Sequence, residues 1–171
     1  SRPATQFVAT FIGRANWFYG TISAARSGSY ARVVTAAGTE LTVSDPGIED
    51  GTQVSICVRP ERITVAGAGT KRPGSGANQL PGNVVDMINM GAELHYSVDC
   101  ATGLLMAVES NRGGMRFGRG DKVSIGFRAE DCVVLVQAFE PPPTQAYTRR
   151  GSFPVSSRIC RRASLPTIAW K

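Results

Sequence analysis

The sequence predicts an all-β protein made of two related small β-subdomains, and three observations lead there. Short β-branched runs bounded by Gly, Ser, Asp and Pro recur at close spacing from Gly20 onward, the pattern of a β-sandwich or barrel. A fifteen-residue segment occurs twice: Gly51-Thr-Gln-Val-Ser-Ile-Cys-Val-Arg-Pro-Glu-Arg-Ile-Thr-Val65 matches Gly120-Asp-Lys-Val-Ser-Ile-Gly-Phe-Arg-Ala-Glu-Asp-Cys-Val-Val134 at seven positions, at an offset of 69. The 171 residues are 42% hydrophobic and 19% charged, enough apolar material for a core and too much for a disordered chain.

Taken in order, residues 1–12 read as a short helix. Phe7 with Phe11 and Val8 with Ile12 are i, i+4 pairs, with Pro3 near the start and Gly13 past the end. Two turns bury too little to stand alone, so this apolar face must pack on something. Trp17 and Phe18 are expected to cover the open end of the first barrel. The first β-subdomain spans 13–70, with strands at Tyr30–Thr35, Glu40–Val43 and Gln53–Val58; residues 71–81, rich in Gly, Pro and Lys/Arg, read as a loop. The second spans 82–138, with strands at Val84–Met87, Leu94–Val98, Leu104–Val108, Lys122–Phe127 and Cys132–Val136. Leu94, Tyr96 and Val98 alternate with Glu93, His95, Ser97 and Asp99, which gives one apolar and one wet face. Gly20-Thr-Ile and Gly82-Asn-Val each open a block of the repeat. After Ala138 a polyproline start and a Ser/Arg-rich run over 139–171 show no period.

Charge excludes several function classes. Residues 1–138 hold 13 basic and 12 acidic side chains, whereas 139–171 hold 6 basic and 1 acidic, so the net charge of +6 belongs mostly to the tail. The folded part lacks the basic footprint of nucleic-acid binding, and its aromatics are scattered rather than interleaved with Lys/Arg. Cys57, Cys100, Cys132 and Cys160 form no C-x-x-C pair and there is one histidine, so no metal-site spacing appears and the thiols are expected to be reduced. His95 reads as a surface side chain without triad partners. Gly67-Ala-Gly-Thr-Lys-Arg-Pro-Gly74 lacks the Gly-Lys-Ser/Thr of a phosphate loop, so no catalytic residue, cofactor or metal is assigned. Arg119-Gly120-Asp121 sits where a tight turn is needed, and the Arg-Arg-x-Ser runs ending at Ser152 and Ser164 read as chance in an Arg/Ser-rich tail.

The repeat singles out Arg59 and Glu61 in one copy and Arg128 and Glu130 in the other. Each pair closes a strand, where it either faces solvent or bridges to a neighbouring strand or domain.

These residues also carry a resemblance. Pro3-Ala-Thr-Gln-Phe-Val-Ala-Thr-Phe-Ile-Gly-Arg-Ala-Asn16 resembles the segment joining the ATPase domain to the C-terminal domain in ATP-binding subunits of ABC importers; Val58-Arg-Pro-Glu61 and Leu80–Val134 resemble their TOBE domain, type 2, of the spermidine/putrescine class. The second copy departs with Arg128-Ala-Glu130, and the tail matches no part of the family. The resemblance implies two OB-fold-like barrels and a non-catalytic regulatory or dimer-stabilising module of a homodimeric subunit. ATP and Mg would be held by an ATPase domain that bears the Walker and signature motifs and precedes a linker in which Ser1 falls. Implied partners are that ATPase domain, a second copy and membrane permease subunits, at the cytoplasmic face of a bacterial membrane, with no nucleic acid. An alternative expectation is a MOP-type barrel binding a small oxyanion, with Ser27, Ser29, Lys71 and Arg72 as candidate donors.

Overall fold

The computed structural model describes residues 15–113 and 116–136. The expected helix within 1–12 and the tail 139–171 lie outside the described residues, as do the two Arg-Arg-x-Ser runs.

Among the described residues ten strands form in sequence order: β1 (Asn16–Ser27), β2 (Tyr30–Thr35), β3 (Glu40–Ser44), β4 (Gln53–Val58), β5 (Thr64–Gly67), β6 (Ala77–Asn89), β7 (Glu93–Cys100), β8 (Gly103–Ser110), β9 (Lys122–Arg128) and β10 (Val133–Leu135). One-turn 3-10 segments, Pro60–Arg62 and Ala129–Asp131, join β4 to β5 and β9 to β10. Two five-stranded antiparallel sheets result, ordered β10-β4-β1-β2-β3 and β5-β9-β6-β7-β8. Position by position the orders are the same, because β6–β10 repeat β1–β5.

The repeated glycine has a definite task. Gly51 and Gly120 sit at φ 82° and 90°, in the left-handed region that glycine enters without a Cβ penalty. Each turn delivers its amide to the first strand of its own half: Gly51 N–H to the Ile22 carbonyl and Gly120 N–H to the Val84 carbonyl, both at 2.8 Å. Gly120 therefore answers the Arg119-Gly120-Asp121 motif as a turn, with Asp121 Oδ2 accepting from the Gly118 amide at 2.8 Å.

The structure differs from the sequence expectation in three places. The span 71–81 is loop only to Gly76, since β6 begins at Ala77 and runs on to Asn89. Periodicity missed its first half because Asn78, Pro81 and Gly82 read as loop vocabulary, yet Leu80 and Val84 hold the inward side. Trp17 and Phe18 do not cap a barrel end; they lie in β1, a central strand that the sequence left unassigned. Finally, β5 pairs with β9 of the second half, and β10 pairs with β4 of the first. Each half thus lends its last strand to the other's sheet, because the 3-10 turn redirects the chain across the molecule.

That exchange leaves a main core shared by both sheets. A single buried cluster includes Phe18, Ile22, Val33, Leu41, Val43 and Ile56 of one sheet with Leu80, Tyr96, Val98, Leu105, Ile125 and Phe127 of the other. Phe18 and Phe127 stack across it with centroids 5.3 Å apart at 27°. The predicted alternation in β7 holds: Leu94, Tyr96 and Val98 are buried, and His95 on the outer face meets Glu93 at 3.0 Å. Cys57, Cys100 and Cys132 are free thiols.

Candidate functional site at the seam between the barrels

Two buried asparagine side chains, one near the start of each half's first strand, bridge the two halves. Asn16, first residue of β1 and 1% exposed, turns its amide onto β8 of the other half. Its Oδ1 accepts from the Met106 amide at 2.7 Å and its Nδ2 donates to the Met106 carbonyl at 2.8 Å, with a second contact to the Val58 carbonyl at 3.3 Å. Asn78, at the same place in β6, does the converse on β3: Oδ1 accepts from the Thr42 amide and Nδ2 donates to the Thr42 carbonyl, both at 2.7 Å. A carboxamide carries one acceptor and two donors, so it reproduces a peptide group and pairs with an edge strand as another strand would. Edge strands otherwise present unpaired backbone groups. The two asparagines thereby tie each barrel's edge to the other barrel.

Sequence reasoning missed both residues, although a signal was there. Asn16-Trp-Phe-Tyr-Gly20 and Asn78-Gln-Leu-Pro-Gly82 share Asn-x-x-x-Gly at an offset of 62. Gly20 and Gly82 are also equivalent in space. A Cβ on Gly20 would stand 2.5 Å from the Val34 carbonyl oxygen, and one on Gly82 would stand 2.6 Å from Val98 Cγ1 and 2.8 Å from Cys100 Sγ.

The predicted Arg/Glu residues fall on the two 3-10 turns. Arg59 precedes the first turn and Glu61 lies within it; Arg128 ends β9 and Glu130 lies in the second turn. The structure brings three of them into one cleft of about 440 Å³, lined by Glu61, Arg62, Arg72, Arg128, Glu130 and Asp131. Across it Arg62 of the first turn meets Asp131 of the second at 3.6 Å. Glu130 accepts a 2.7 Å hydrogen bond from the Tyr30 hydroxyl at the start of β2. That bond holds the Glu130 carboxyl below its ordinary range and raises the Tyr30 phenol. The Tyr30 ring packs where Gly76 has no side chain, since a Cβ there would lie 2.8 Å from it. In an adjoining cleft that Glu61 also lines, Glu109 of β8 accepts from the Val65 amide at 2.8 Å and meets Arg116 at 3.6 Å.

The candidate oxyanion donors are not assembled together. Lys71 lines a cleft of about 660 Å³ with Thr70, Asn83, Asp99, Lys122 and Ser124, but Ser27, Ser29 and Arg72 are not among its lining residues. Arg72 is instead bonded to the Thr64 hydroxyl.

Comparison with known proteins follows the same outline. Residues 56–135 match the family described as the TOBE domain. A spermidine/putrescine import ATP-binding protein PotA from Frankia alni is 32% identical over 146 residues, covering 78% of this chain and 31% of the relative. PotA of Rubrobacter xylanophilus is 30% identical over 138 residues (78% and 34%), and PotA of Mesorhizobium japonicum 33% over 129 residues (72% and 33%). The chain spans about a third of the length of these relatives. Among solved structures, the cytoplasmic molybdate-binding protein ModG superposes with a TM-score of 0.63 at 16% identity, over 71% of this chain and 96% of that one. That likeness is one of fold, and it fits two OB-fold-like barrels.

Proposed function

We propose that this chain, whose residues 56–135 match the TOBE domain family, serves as the non-catalytic regulatory and dimer-stabilising module of the ATP-binding subunit of an ABC importer for polyamines or related solutes. The observation that carries this reading is the similarity to three import ATP-binding proteins over 72–78% of the chain, which runs through both halves of the repeat rather than one barrel. ATP and Mg belong to the ATPase domain of the same subunit. The module's partners are that domain, a second copy and, through the complex, the permease, which places it at the cytoplasmic face of the membrane.

A transmitting module needs rigidity more than chemistry. A main core shared between two sheets, with a buried amide clamp from each half to the other, couples the pair of barrels. The charged cleft on the two 3-10 turns is the part left for contact: Glu61, Arg128 and Glu130 within it, with Arg59 just before the first turn, are proposed to meet a neighbouring domain or subunit. The test is to remove the module from the full-length subunit and assay ATP hydrolysis with and without the permease. The expected result is an ATPase that still turns over but no longer responds to the transporter. Retained coupling would overturn the reading.

The cleft with Lys71 and Lys122 supports a second reading, a small-oxyanion site. Calorimetry with molybdate, sulfate and phosphate decides it, since three flat titrations remove it.

A further inference from the structure

The end strands of a sheet carry outward N–H and C=O groups that need a partner other than a ladder neighbour. Among the described residues the end strands are β10 and β3 in the first sheet and β5 and β8 in the second. On three of them a side chain stands in for the missing strand. Asn78 pairs with the Thr42 backbone of β3, and Asn16 with the Met106 backbone of β8. On β5 the Val65 amide donates to Glu109 and the Val65 carbonyl accepts from the Arg116 guanidinium.

The fourth end strand, β10, differs. The turn at Gly51 sets the backbone phase: the Ile22 amide donates to the Thr52 carbonyl at 2.9 Å and the Gly51 amide to the Ile22 carbonyl at 2.8 Å. Facing pairs in an antiparallel ladder alternate between bonded and non-bonded, so in the register that sets Phe18 against Ile56 the Ile56 backbone faces β1. Ser55 and Cys57 therefore face β10, where they stand opposite Leu135 and Val133. Between those two, Val134 turns its N–H and C=O outward.

Val134 is the repeat equivalent of Val65, at the offset of 69, yet among the described residues no side chain caps it. The cause is local. Thr42 and Met106 are equivalent clamp positions, which puts Asp45 of the first half where Glu109 stands in the second. Asp45 is one methylene shorter, and it is held by Arg26 at 3.3 Å and by the Gly47 amide at 3.0 Å. Soluble proteins guard an open edge with charge, proline or a bulge. The run Cys132-Val-Val-Leu-Val136 has no charge and no proline, and Val133 and Val136 are 54% and 56% exposed.

We propose that β10 is a docking edge for β10 of a second copy of this chain, the two strands running antiparallel about a twofold axis at Val134. An extended chain offers an acceptor to the Val134 N–H and a donor to its C=O. β10 is itself such a chain with the same two groups outward, so the pairing is self-complementary, as a twofold interface requires. Each Val134 amide donates to the Val134 carbonyl of the other copy. Val133 then stands opposite the second copy's Leu135, and Cys132 opposite its Val136, so every facing pair is apolar. The proposal rests on the function proposed above for the presence of a second copy, and it names the surface that serves the dimer-stabilising role.

The test uses the complete chain. Sedimentation equilibrium over a concentration series reads the dimer, and amide hydrogen exchange by NMR over the same series reads Val134, with the capped Val65 amide as internal control. The expected result is a monomer–dimer equilibrium across which Val134 exchange slows at least tenfold while Val65 exchange stays constant. Val133→Lys/Val136→Lys, which alters two exposed side chains, is expected to raise the dimer dissociation constant at least tenfold with Val65 exchange unchanged. A chain that stays monomeric, a dimer that leaves Val134 exchange as it was, or a double variant that dimerises like the parent overturns the proposal. Equal Val134 protection at every concentration also overturns it, because the edge would then be covered within one chain. Removing the module from the full-length subunit tests the function separately: lost coupling together with a monomeric chain overturns the docking edge alone.

Discussion

The first and second halves of the molecule share topology, turn geometry and an asparagine clamp, yet they are not copies in what they bury. The inner faces are interchangeable: Phe18, Ile22, Val54 and Ile56 in one stand where Leu80, Val84, Val123 and Ile125 stand in the other. On the outer faces Trp17, Tyr19 and Cys57 of the first half correspond to Gln79, Pro81 and Gly126 of the second. Inner positions answer to a core that both halves must fill, so their chemistry is held to apolar and of similar size. Outer positions are free of that shared constraint, and their chemistry has diverged: apolar around Trp17 and Cys57 in the first half, polar around Gln79 and Ser124 in the second.

The largest expected effect tests whether the inner faces really form one core. Phe18→Ala removes one partner of the stack with Phe127 and is expected to cost about 4 kcal/mol, with both halves unfolding in a single urea transition. Two separated transitions, followed by Trp17 fluorescence for the first half and hydrogen exchange of β7 for the second, would break the comparison at its root.

Next comes the clamp. Asn16→Leu strands the Met106 amide and carbonyl, and Asn78→Leu strands those of Thr42. Each is expected to cost about 3 kcal/mol from buried groups left without partners. Near-equal losses in chemical denaturation sharpen the equivalence, and a loss at one position only would refute it.

The glycine pair should separate the halves. Gly20→Ala drives a methyl into a backbone oxygen that cannot move independently, whereas the nearest neighbours of Gly82→Ala are the side chains of Val98 and Cys100. The expected costs are about 3 and about 1 kcal/mol respectively, read from the shift in denaturation midpoint. Equal costs would mean that β2 yields as easily as a side chain does.

The smallest effect concerns Tyr30 and Glu130. Because the hydrogen bond lowers the Glu130 pKa in the folded state, any stability it adds is present above the ordinary carboxyl range and fades as pH falls through the lowered value. Tyr30→Phe is expected to return the Glu130 titration, followed by carboxyl NMR, toward the ordinary value, with little change in stability at neutral pH because the pair is exposed.

Much of the fold was legible where periodicity was strong. The strands at 30–35, 40–44, 53–58, 93–100 and 122–128 alternate or run apolar between turn residues, and that pattern survives folding because burial is its cause. β1 and β6 were obscured because their inward rows begin with asparagine and include glycine, residue types that usually mark loops. For the seam, the charged residues were visible as the end of a repeated motif, but the asparagines were not. An amide that replaces a peptide partner is recognisable only when the strand it pairs with is known, and Thr42 and Met106 lie 36 and 90 residues from their clamps.

What the sequence determined by itself is the β class, the twofold repeat and the near-neutral charge of the folded part. All three follow from local patterns of polarity and from simple counting. Only the tertiary structure decided that β5 and β10 change places, that two barrels share one core, and that equivalent outer faces carry opposite chemistry. These depend on contacts between residues distant in the chain, where the free energy comes from which surfaces meet and not from what each segment prefers alone.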